Sequence, residues 1–351
     1  KMKTKKKVVL PTSANKELDL SQFSYEMEAL SSVGAELVGA SSSSPEAFLK
    51  EARDADAIMV SWGVLFDKNI ISNLKKCVVI GVKGVGVDMV DVDSATEAGI
   101  VVTNIPDVFI EEVADHAMFL LLSAIRRGKI MDNMVCQEAW GKGRPYLYQF
   151  NRIWGQTLGL FAFGNIGTAV ARRAKGFGLN VIAHDPYVSE LKMTAEGVEP
   201  VSFEELLKRS DYLSLHSALN DETRGIIGEA EFAAMKNSVV LVNTSRGGVI
   251  DEAALIRALQ KGKIAAAGLD VFEKEPADPD NPLLAMDNVI LTPHVASASS
   301  RFEPMTRRRA GQEIALVLSG RWPMSSVNPS VLPRVELERW QPYPMGRGPN
   351  R

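Results

Sequence analysis

The chain has few cysteines and no long apolar run, and these absences exclude several classes of protein. Its 351 residues include two cysteines, Cys77 and Cys136, so the sequence contains no disulfide framework and no paired-thiol metal motif. No apolar run reaches the ~18 residues that a membrane span requires. The apolar segment after the basic start is too short for a signal peptide. We therefore expect a cytoplasmic protein with no metal site and no membrane partner.

A large excess of one charge is also lacking. Forty basic and 43 acidic residues leave a formal net charge of −3, which does not indicate a broad basic face for nucleic acid. Only the first seven residues are locally basic, and we interpret them as a solvated terminus that leads into a strand. The length and an apolar share of 46% favour two globular domains.

Short apolar strands alternate with amphipathic helical patterns along the chain, which predicts parallel α/β layers. A long helix is predicted from about Phe109 to Arg127, with Gly128 as its stop signal, and a second helical stretch runs to about Trp140. A final helix is predicted from about Arg301 to Leu318. Between residues 157 and 291 we predict six strands, the number in a full dinucleotide-binding sheet.

A glycine turn follows the first of these six strands. Gly164 would let the backbone approach a pyrophosphate, and Gly167 would let the next helix pack close to the strand. Ala162 replaces the first glycine of the usual motif, and we expect the turn to tolerate it. Asp185 ends the next strand, where a carboxylate accepts hydrogen bonds from ribose hydroxyls and repels a 2′-phosphate. The motif therefore predicts NAD rather than NADP.

Three later strands end in polar residues that suit hydride-transfer chemistry. His294 is the candidate acid/base, Glu275 would orient its imidazole, and Arg246 would bind a carboxylate in a forked contact. Glu273 lies two residues from Glu275 and could be mistaken for it. The other histidines have different expected roles: His116 would pack in the long helix, whereas His184 and His216 would line the adenosine site.

Several sequence blocks together resemble the D-isomer-specific 2-hydroxyacid dehydrogenase family. They cover residues 78–318 in the family's order and spacing, and they are Gly84–Asp88 with Val90-Asp91, Gly99–Pro106, Val113–Ala117, the glycine turn, Asn243–Gly248, Leu269–Phe272 through Glu275-Pro276, and Pro293-His294.

This resemblance implies an NAD-dependent oxidoreductase that transfers a hydride between nicotinamide and a small D-2-hydroxyacid or 2-keto acid. Arg246 would bind substrate, His294 would be the acid/base with Glu275, and Asp270 would face the nicotinamide. Backbone N–H groups around Val85 and Gly86 would hold the substrate carboxylate. The full set of expected cofactor contacts is Phe163, Gly164, Asn165, Ile166, Gly167, Asp185, Pro186, His216, Ser217, Ala218, Thr223, Asn243, Thr244, Ser245 and Asp270.

The resemblance also implies the architecture: a Rossmann-type doubly wound parallel sheet inserted into a smaller flavodoxin-like α/β domain. We expect a substrate-binding domain over residues 1–104, completed by 298–335, and an NAD-binding domain over 105–297. Residues 336–351 would form a tail that is poorly ordered or laid across the surface. A homodimer is implied, with the helical region 109–140 against the partner.

Three positions depart from the family pattern. Ala162 replaces a glycine, Ala218 stands where proline is common, and Val82 stands where many members carry arginine. The last change disfavours substrates with a second anionic group.

The alternative on the same fold is an NAD(H)-sensing corepressor-like binding protein, because such proteins also resemble this family.

Overall fold

The computed structural model describes residues 5–12, 19–60 and 64–340. The chain divides into two compact units, one formed by Lys1–Val108 with Ser300–Arg351 and the other by Phe109–Ser299. These borders lie within four residues of the borders that the sequence analysis expects at 104/105 and 297/298. Of the expected tail, residues 341–351 lie outside the described residues.

The first unit begins with a parallel five-stranded sheet in the order β2-β1-β3-β4-β5. Its strands are almost wholly apolar where they are buried, as expected for a parallel sheet covered on both faces. Polar caps on Ser44, Asp67 and Asp91 begin three of its helices. The elements are β1 (Lys6–Thr12), α1 (Ser24–Leu30), β2 (Ala35–Ser41), α2 (Pro45–Ala52), β3 (Ala57–Val60), α3 (Lys68–Asn73), β4 (Val79–Val82), α4 (Val92–Glu97) and β5 (Val101–Thr103).

The second unit contains a parallel sheet in the order β12-β11-β10-β9-β6-β7-β8, with helices α5 and α6 preceding it in the chain. Apolar side chains on the two faces of this sheet form two buried clusters. The elements are α5 (Ile110–Ile125), α6 (Gly128–Cys136), β6 (Thr157–Phe161), α7 (Asn165–Gly176), β7 (Asn180–His184), α8 (Glu190–Ala195), β8 (Glu199–Pro200), α9 (Phe203–Arg209), β9 (Tyr212–Leu215), α10 (Glu229–Ala234), β10 (Val240–Asn243), α11 (Glu252–Gln260), β11 (Ala266–Leu269) and β12 (Val289–Leu291).

Two expectations for this unit are wrong. The sheet has seven strands rather than six, because the two-residue strand β8 pairs with β7 and is too short to show a periodic pattern. Gly128 does not terminate the long helix but begins α6, and Arg127 takes the left-handed conformation instead, with φ 53°. The Arg127 guanidinium lies 5.1 Å from the centre of the Phe150 ring and donates to the Asp287 carbonyl.

The chain returns to the first unit through α12 (Phe302–Leu318). Gly311 allows α12 to pack against α1, since a Cβ there would lie 2.4 Å from the Glu26 carbonyl oxygen. The segment after α12 is laid along the same unit. Arg334 donates to the carbonyls of Leu74, Cys77 and Ala98.

Arginine and tryptophan side chains fasten the end of this segment. Arg321 stacks on Trp340, and Arg339 stacks on Trp322. The Trp322 N–H donates to the Glu338 carbonyl, and the Glu338 N–H donates to the Gly320 carbonyl. Residues 336–340 are therefore held against the first unit.

The two cysteines occupy opposite environments. Cys77 is buried in the first unit, and burial raises the pKa of its thiol to about 12. Cys136 is exposed at the end of α6. Over the described ranges, no helix combines the length and apolar character needed to cross a membrane, and no three potential metal-binding side chains are grouped together.

Candidate active site

Three neighbouring strands of the second unit end level with one another. In the sheet register, Asn243 of β10 pairs with Leu269 of β11, and Leu269 pairs with Leu291 of β12. The polar residues that follow each strand therefore emerge at the same edge of the sheet. This is the edge at which open parallel α/β sheets bind ligands.

His294 and Glu275 form a hydrogen-bonded pair at this edge. His294 Nδ1 lies 2.7 Å from Glu275 Oε2, and both side chains are about one-third exposed. The Phe272 N–H donates to Glu275 Oε1 at 3.0 Å and fixes the carboxylate. With Nδ1 engaged by Glu275, Nε2 is the ring nitrogen that can exchange a proton with a bound substrate. Glu273 makes no part of this pair; its N–H bonds to Glu252.

Asn243 organises the segment that carries Arg246. This fully buried side chain accepts from both the N–H and the hydroxyl of Ser245, and it donates to the Arg246 carbonyl. The half-buried Arg246 guanidinium donates to the Ser245 carbonyl at 2.8 Å. A short polar network thus defines the backbone path on either side of Arg246.

Gly247 brings the Arg246 segment against the Glu275 segment. A Cβ at Gly247 would lie 1.9 Å from the carbonyl carbon of Phe272, so no larger residue fits. Phe272 is the residue whose N–H holds Glu275. The three predicted catalytic residues therefore lie on segments that touch or are adjacent at one sheet edge.

Asp270, which follows β11, is buried and binds the loop that carries His294. Its side chain is 1% exposed, and its carboxylate accepts from the Thr292 hydroxyl and from the N–H groups of Val295 and Ala296. His116, which the sequence predicts to pack in its helix, also makes polar contacts. His116 Nε2 lies 2.8 Å from Thr292 Oγ1 and 3.5 Å from Asp270 Oδ1.

The glycine turn has the geometry of a phosphate cradle. A Cβ on Gly164 would meet none of the described atoms within 4 Å, so space lies open where α7 begins. At Gly167 a Cβ would lie 2.6 Å from the Ala162 carbonyl oxygen, which explains the need for glycine there. Ala162 itself keeps the left-handed backbone, with φ 73°. Alanine is therefore accommodated at a steric cost of about 1 kcal/mol rather than by a different turn.

Asp185 links the end of β7 to the glycine turn. One carboxylate oxygen accepts the Phe163 N–H at 2.8 Å and the other accepts the Tyr187 N–H at 2.9 Å. Each oxygen can accept a second hydrogen bond, so the carboxylate is fixed while it retains capacity for ribose hydroxyls. The Tyr187 hydroxyl donates to Glu222, which raises the tyrosine pKa.

Five more of the predicted cofactor contacts lie near the glycine turn or in the loop after β9. The Phe163 side chain is buried in the core, so only its backbone faces the turn, and Asn165, Ile166 and exposed Pro186 flank the turn and Asp185. The Thr223 hydroxyl is engaged within its own loop, where it donates to the Ala218 carbonyl and accepts from the Asn220 N–H.

At the ends of β9 and β10, three buried polar atoms have no hydrogen-bond partner among the described residues. They are His216 Nδ1, Ser217 Oγ and Thr244 Oγ1. Native proteins rarely leave such atoms unsatisfied, since each costs about 1–3 kcal/mol. β9 and β10 are neighbours in register, so the three atoms belong to one part of the sheet edge. Their donors and acceptors fit a polar dinucleotide bound along that edge.

Val85 and Gly86 belong to the first unit, in the loop after β4. The Asn104 side chain donates to the Val85 carbonyl and accepts from the Ser325 hydroxyl. The Ile105 N–H donates to the Gly84 carbonyl at 2.8 Å. This loop is therefore held at both Gly84 and Val85, which the sequence analysis does not anticipate.

The parallel seven-stranded sheet, the glycine turn and the open strand edge define a Rossmann-type nucleotide-binding α/β protein. Comparison with known families then identifies the particular one. Residues 118–296 match the family described as D-isomer specific 2-hydroxyacid dehydrogenase, NAD binding domain. The chain belongs to this family.

Named relatives agree with this assignment. The chain is 40% identical over 299 residues to a D-3-phosphoglycerate dehydrogenase of Methanocaldococcus jannaschii, covering 85% of this chain but 56% of that protein. It therefore spans little more than half the length of that relative. It is also 40% identical over 290 residues to a glyoxylate reductase of Korarchaeum cryptofilum, covering 82% of this chain and 87% of that protein.

A solved structure gives the same result for the fold. The crystal structure of a glyoxylate reductase from Paecilomyes thermophila superposes with a TM-score of 0.80 at 35% identity, covering 93% of this chain and 99% of that chain.

His216 gives the stability of the protein a specific acid dependence. Desolvation lowers the pKa of His216 to about 4, whereas the unfolded value is about 6.5. Between these values the unfolded chain binds a proton that the native state does not, so stability falls as pH drops from about 6.5 to 4. Between pH 7 and pH 4.5, we expect the free energy of unfolding to fall by about 2 kcal/mol less in His216→Gln than in the wild type. Urea unfolding at the two pH values measures this difference. Equal losses in the two proteins would contradict this.

Proposed function

We propose that the protein is an NAD-dependent oxidoreductase that interconverts a small D-2-hydroxyacid and its 2-keto acid. The observation that carries the proposal is the His294–Glu275 pair, with 2.7 Å between Nδ1 and Oε2, on a strand end beside the Arg246 segment. A histidine held by a carboxylate is the arrangement that general acid/base chemistry on a hydroxyl requires.

His294 moves the proton in this proposal. When bound, NADH supplies the hydride to the substrate carbonyl carbon. His294 donates a proton from Nε2 to the carbonyl oxygen in the reduction direction and accepts it back in the oxidation direction. Glu275 keeps the imidazole in one orientation and stabilises its protonated form. Both roles follow from the contact that Glu275 makes with Nδ1.

Arg246 binds and orients the substrate in the same proposal. Its guanidinium offers a forked set of donors to the carboxylate and the carbonyl oxygen. The backbone N–H groups of Val85 and Gly86 are proposed as further donors to the substrate carboxylate. The Asn104 side chain fixes their loop through the Val85 carbonyl.

The substrate that we propose is a small 2-keto acid with a single anionic group, such as glyoxylate. Val82 is 7% exposed and belongs to the apolar core of the first unit. It therefore supplies no cation where many family members carry arginine. The glyoxylate reductase relatives fit this choice better than the phosphoglycerate dehydrogenases.

The corepressor alternative receives no support from the comparisons. We also propose that the enzyme works in the cytoplasm as a homodimer through the region 109–140. In support of the dimer, α6 buries no residue within its own chain, and Phe119, Val135 and Trp140 are exposed.

Substitution of His294 tests the acid/base role. We expect His294→Ala to lower kcat by at least ~100-fold, because proton transfer loses its donor, while NADH affinity stays nearly unchanged. Glu275→Gln should lower kcat, because the imidazole loses the carboxylate that holds it in one orientation. Glu273→Gln, two residues away, is the matched control and should leave kcat unaltered. Wild-type turnover in His294→Ala would remove this residue from the mechanism.

Cofactor choice tests the role of Asp185. We expect a higher kcat/KM with NADH than with NADPH, because the carboxylate repels a 2′-phosphate. Asp185→Asn should reduce the ratio of kcat/KM with NADH to kcat/KM with NADPH. Glu190→Gln removes the same charge from an exposed residue at the start of α8 and should leave the ratio alone. A wild-type preference for NADPH would show that the assignment is wrong.

Light scattering tests the homodimer. We expect a mass of twice 38.3 kDa for the wild-type protein. Val135→Asp or Trp140→Asp should weaken the dimer, since each places a charge on an apolar side chain of the proposed interface. Leu191→Asp, at an 80% exposed apolar residue outside this region, is the control. A wild-type monomer at micromolar concentration would exclude the proposed dimer.

A further inference from the structure

The loop that carries His294 has a backbone that must be held in place. His294 takes a left-handed conformation, with φ 53°, which side chains other than glycine adopt at a cost of about 1–2 kcal/mol. Its N–H bonds to the carbonyls of Asp270 at 2.8 Å and Thr292 at 3.1 Å. Contacts from outside the loop must offset the cost of this turn.

Asp270 provides the centre of these contacts. Its buried carboxylate accepts the Thr292 hydroxyl at 2.6 Å and the N–H groups of Val295 and Ala296, both at 2.9 Å. The loop on both sides of His294 is therefore wrapped around one anion. An anion buried in this way depends on all of its donors.

His116 completes the arrangement from α5. The Thr292 hydroxyl has one proton. Because the Asp270 carboxylate can only accept, the hydroxyl uses this proton in the 2.6 Å hydrogen bond that it donates to Asp270. Thr292 Oγ1 must then accept from His116, so Nε2 carries a hydrogen. The order of donation is His116 to Thr292 to Asp270. His116 Nε2 also lies 3.5 Å from Asp270 Oδ1.

We propose that His116 is a positioning residue for His294. Its Nε2–H fixes the rotamer of the Thr292 hydroxyl, so that this hydroxyl keeps donating to Asp270 and the left-handed turn at His294 is maintained. The ring of His294 is thereby kept in line with Glu275. This inference rests on the proposed function only for its effect on turnover, because the hydrogen-bond chain itself can be measured without a substrate.

A packing role for His116 would give different results. The ring lies 5.4 Å from the Phe119 ring, centre to centre, so apolar contact alone could justify its place. Leucine keeps apolar bulk but has no donor. Glutamine places an N–H donor at a similar reach and is the conservative replacement. Comparing His116→Leu with His116→Gln therefore separates hydrogen bonding from packing.

Kinetics form the first part of the test. We expect His116→Leu and Thr292→Val to lower kcat by roughly 10- to 100-fold, because a small misplacement of a reacting group has that effect. The Kd for NADH should change less than about twofold. His116→Gln and Thr292→Ser should recover most of kcat. The double variant His116→Leu/Thr292→Val should be no slower than its slower parent, since both break one chain.

Hydrogen exchange forms the second part and needs no turnover. The amide hydrogens of His294, Val295 and Ala296 are the ones bound to Asp270. We expect them to exchange about tenfold faster in His116→Leu than in wild type or His116→Gln, with amides of α9 unchanged as an internal reference.

The two parts distinguish their failures. A wild-type protein that reduces no 2-keto acid overturns the proposed function, whereas exchange still decides the role of His116. Wild-type exchange in His116→Leu overturns the positioning role. Equal defects in His116→Leu and His116→Gln also overturn it in favour of packing. If His116→Leu does not fold, His116→Phe takes its place, because phenylalanine keeps an aromatic ring but has no donor for Thr292.

Discussion

The buried carboxylate of Asp270 is the constraint on which the candidate site depends. A charge removed from water must be satisfied within the protein, and here its donors come from the loop that follows the next strand. The need to satisfy the anion thus specifies the path of that loop. His294 takes its position from this path, and its backbone N–H donates to the carbonyl of Asp270.

At the end of β10, a neutral side chain fixes the backbone path of the following segment in a similar way. Asn243 is fully buried at the end of β10, and its amide binds the segment that carries Arg246. Glu275 is in turn held by the Phe272 N–H. Each side chain expected to meet substrate is therefore supported by a polar group that the substrate does not need to touch. Such support is what keeps reacting groups in a productive geometry.

Sequence patterns predict the parts of this site that obey local rules. Parallel α/β alternation places Asn243, Leu269 and Leu291 at strand ends, and the register confirms that these ends are level. The glycine turn is likewise visible from Gly164 and Gly167 alone. The strand count failed because β8 has only two residues, too few for any pattern.

Long-range contacts accompany the features that the sequence did not predict. Arg127, rather than the adjacent glycine, takes the left-handed turn, and its guanidinium donates to the carbonyl of Asp287, 160 residues away. His116 reaches Thr292 across 176 residues, and helical spacing alone indicated packing. A signal did exist, because His116 lies within the Val113–Ala117 block that resembles the family. That block gave a position without giving a partner.

The contrast between the two thiols has a practical consequence. Cys136 lies exposed on α6, whereas Cys77 is shielded in the first unit and its raised pKa disfavours the thiolate. In the single chain a thiol reagent should therefore react with Cys136 alone, and because Cys136 lies within the region 109–140, the extent of its reaction would report on the proposed dimer contact. The rate at which Cys77 reacts would then measure how often the interior of the first unit opens, independently of any change in the second unit.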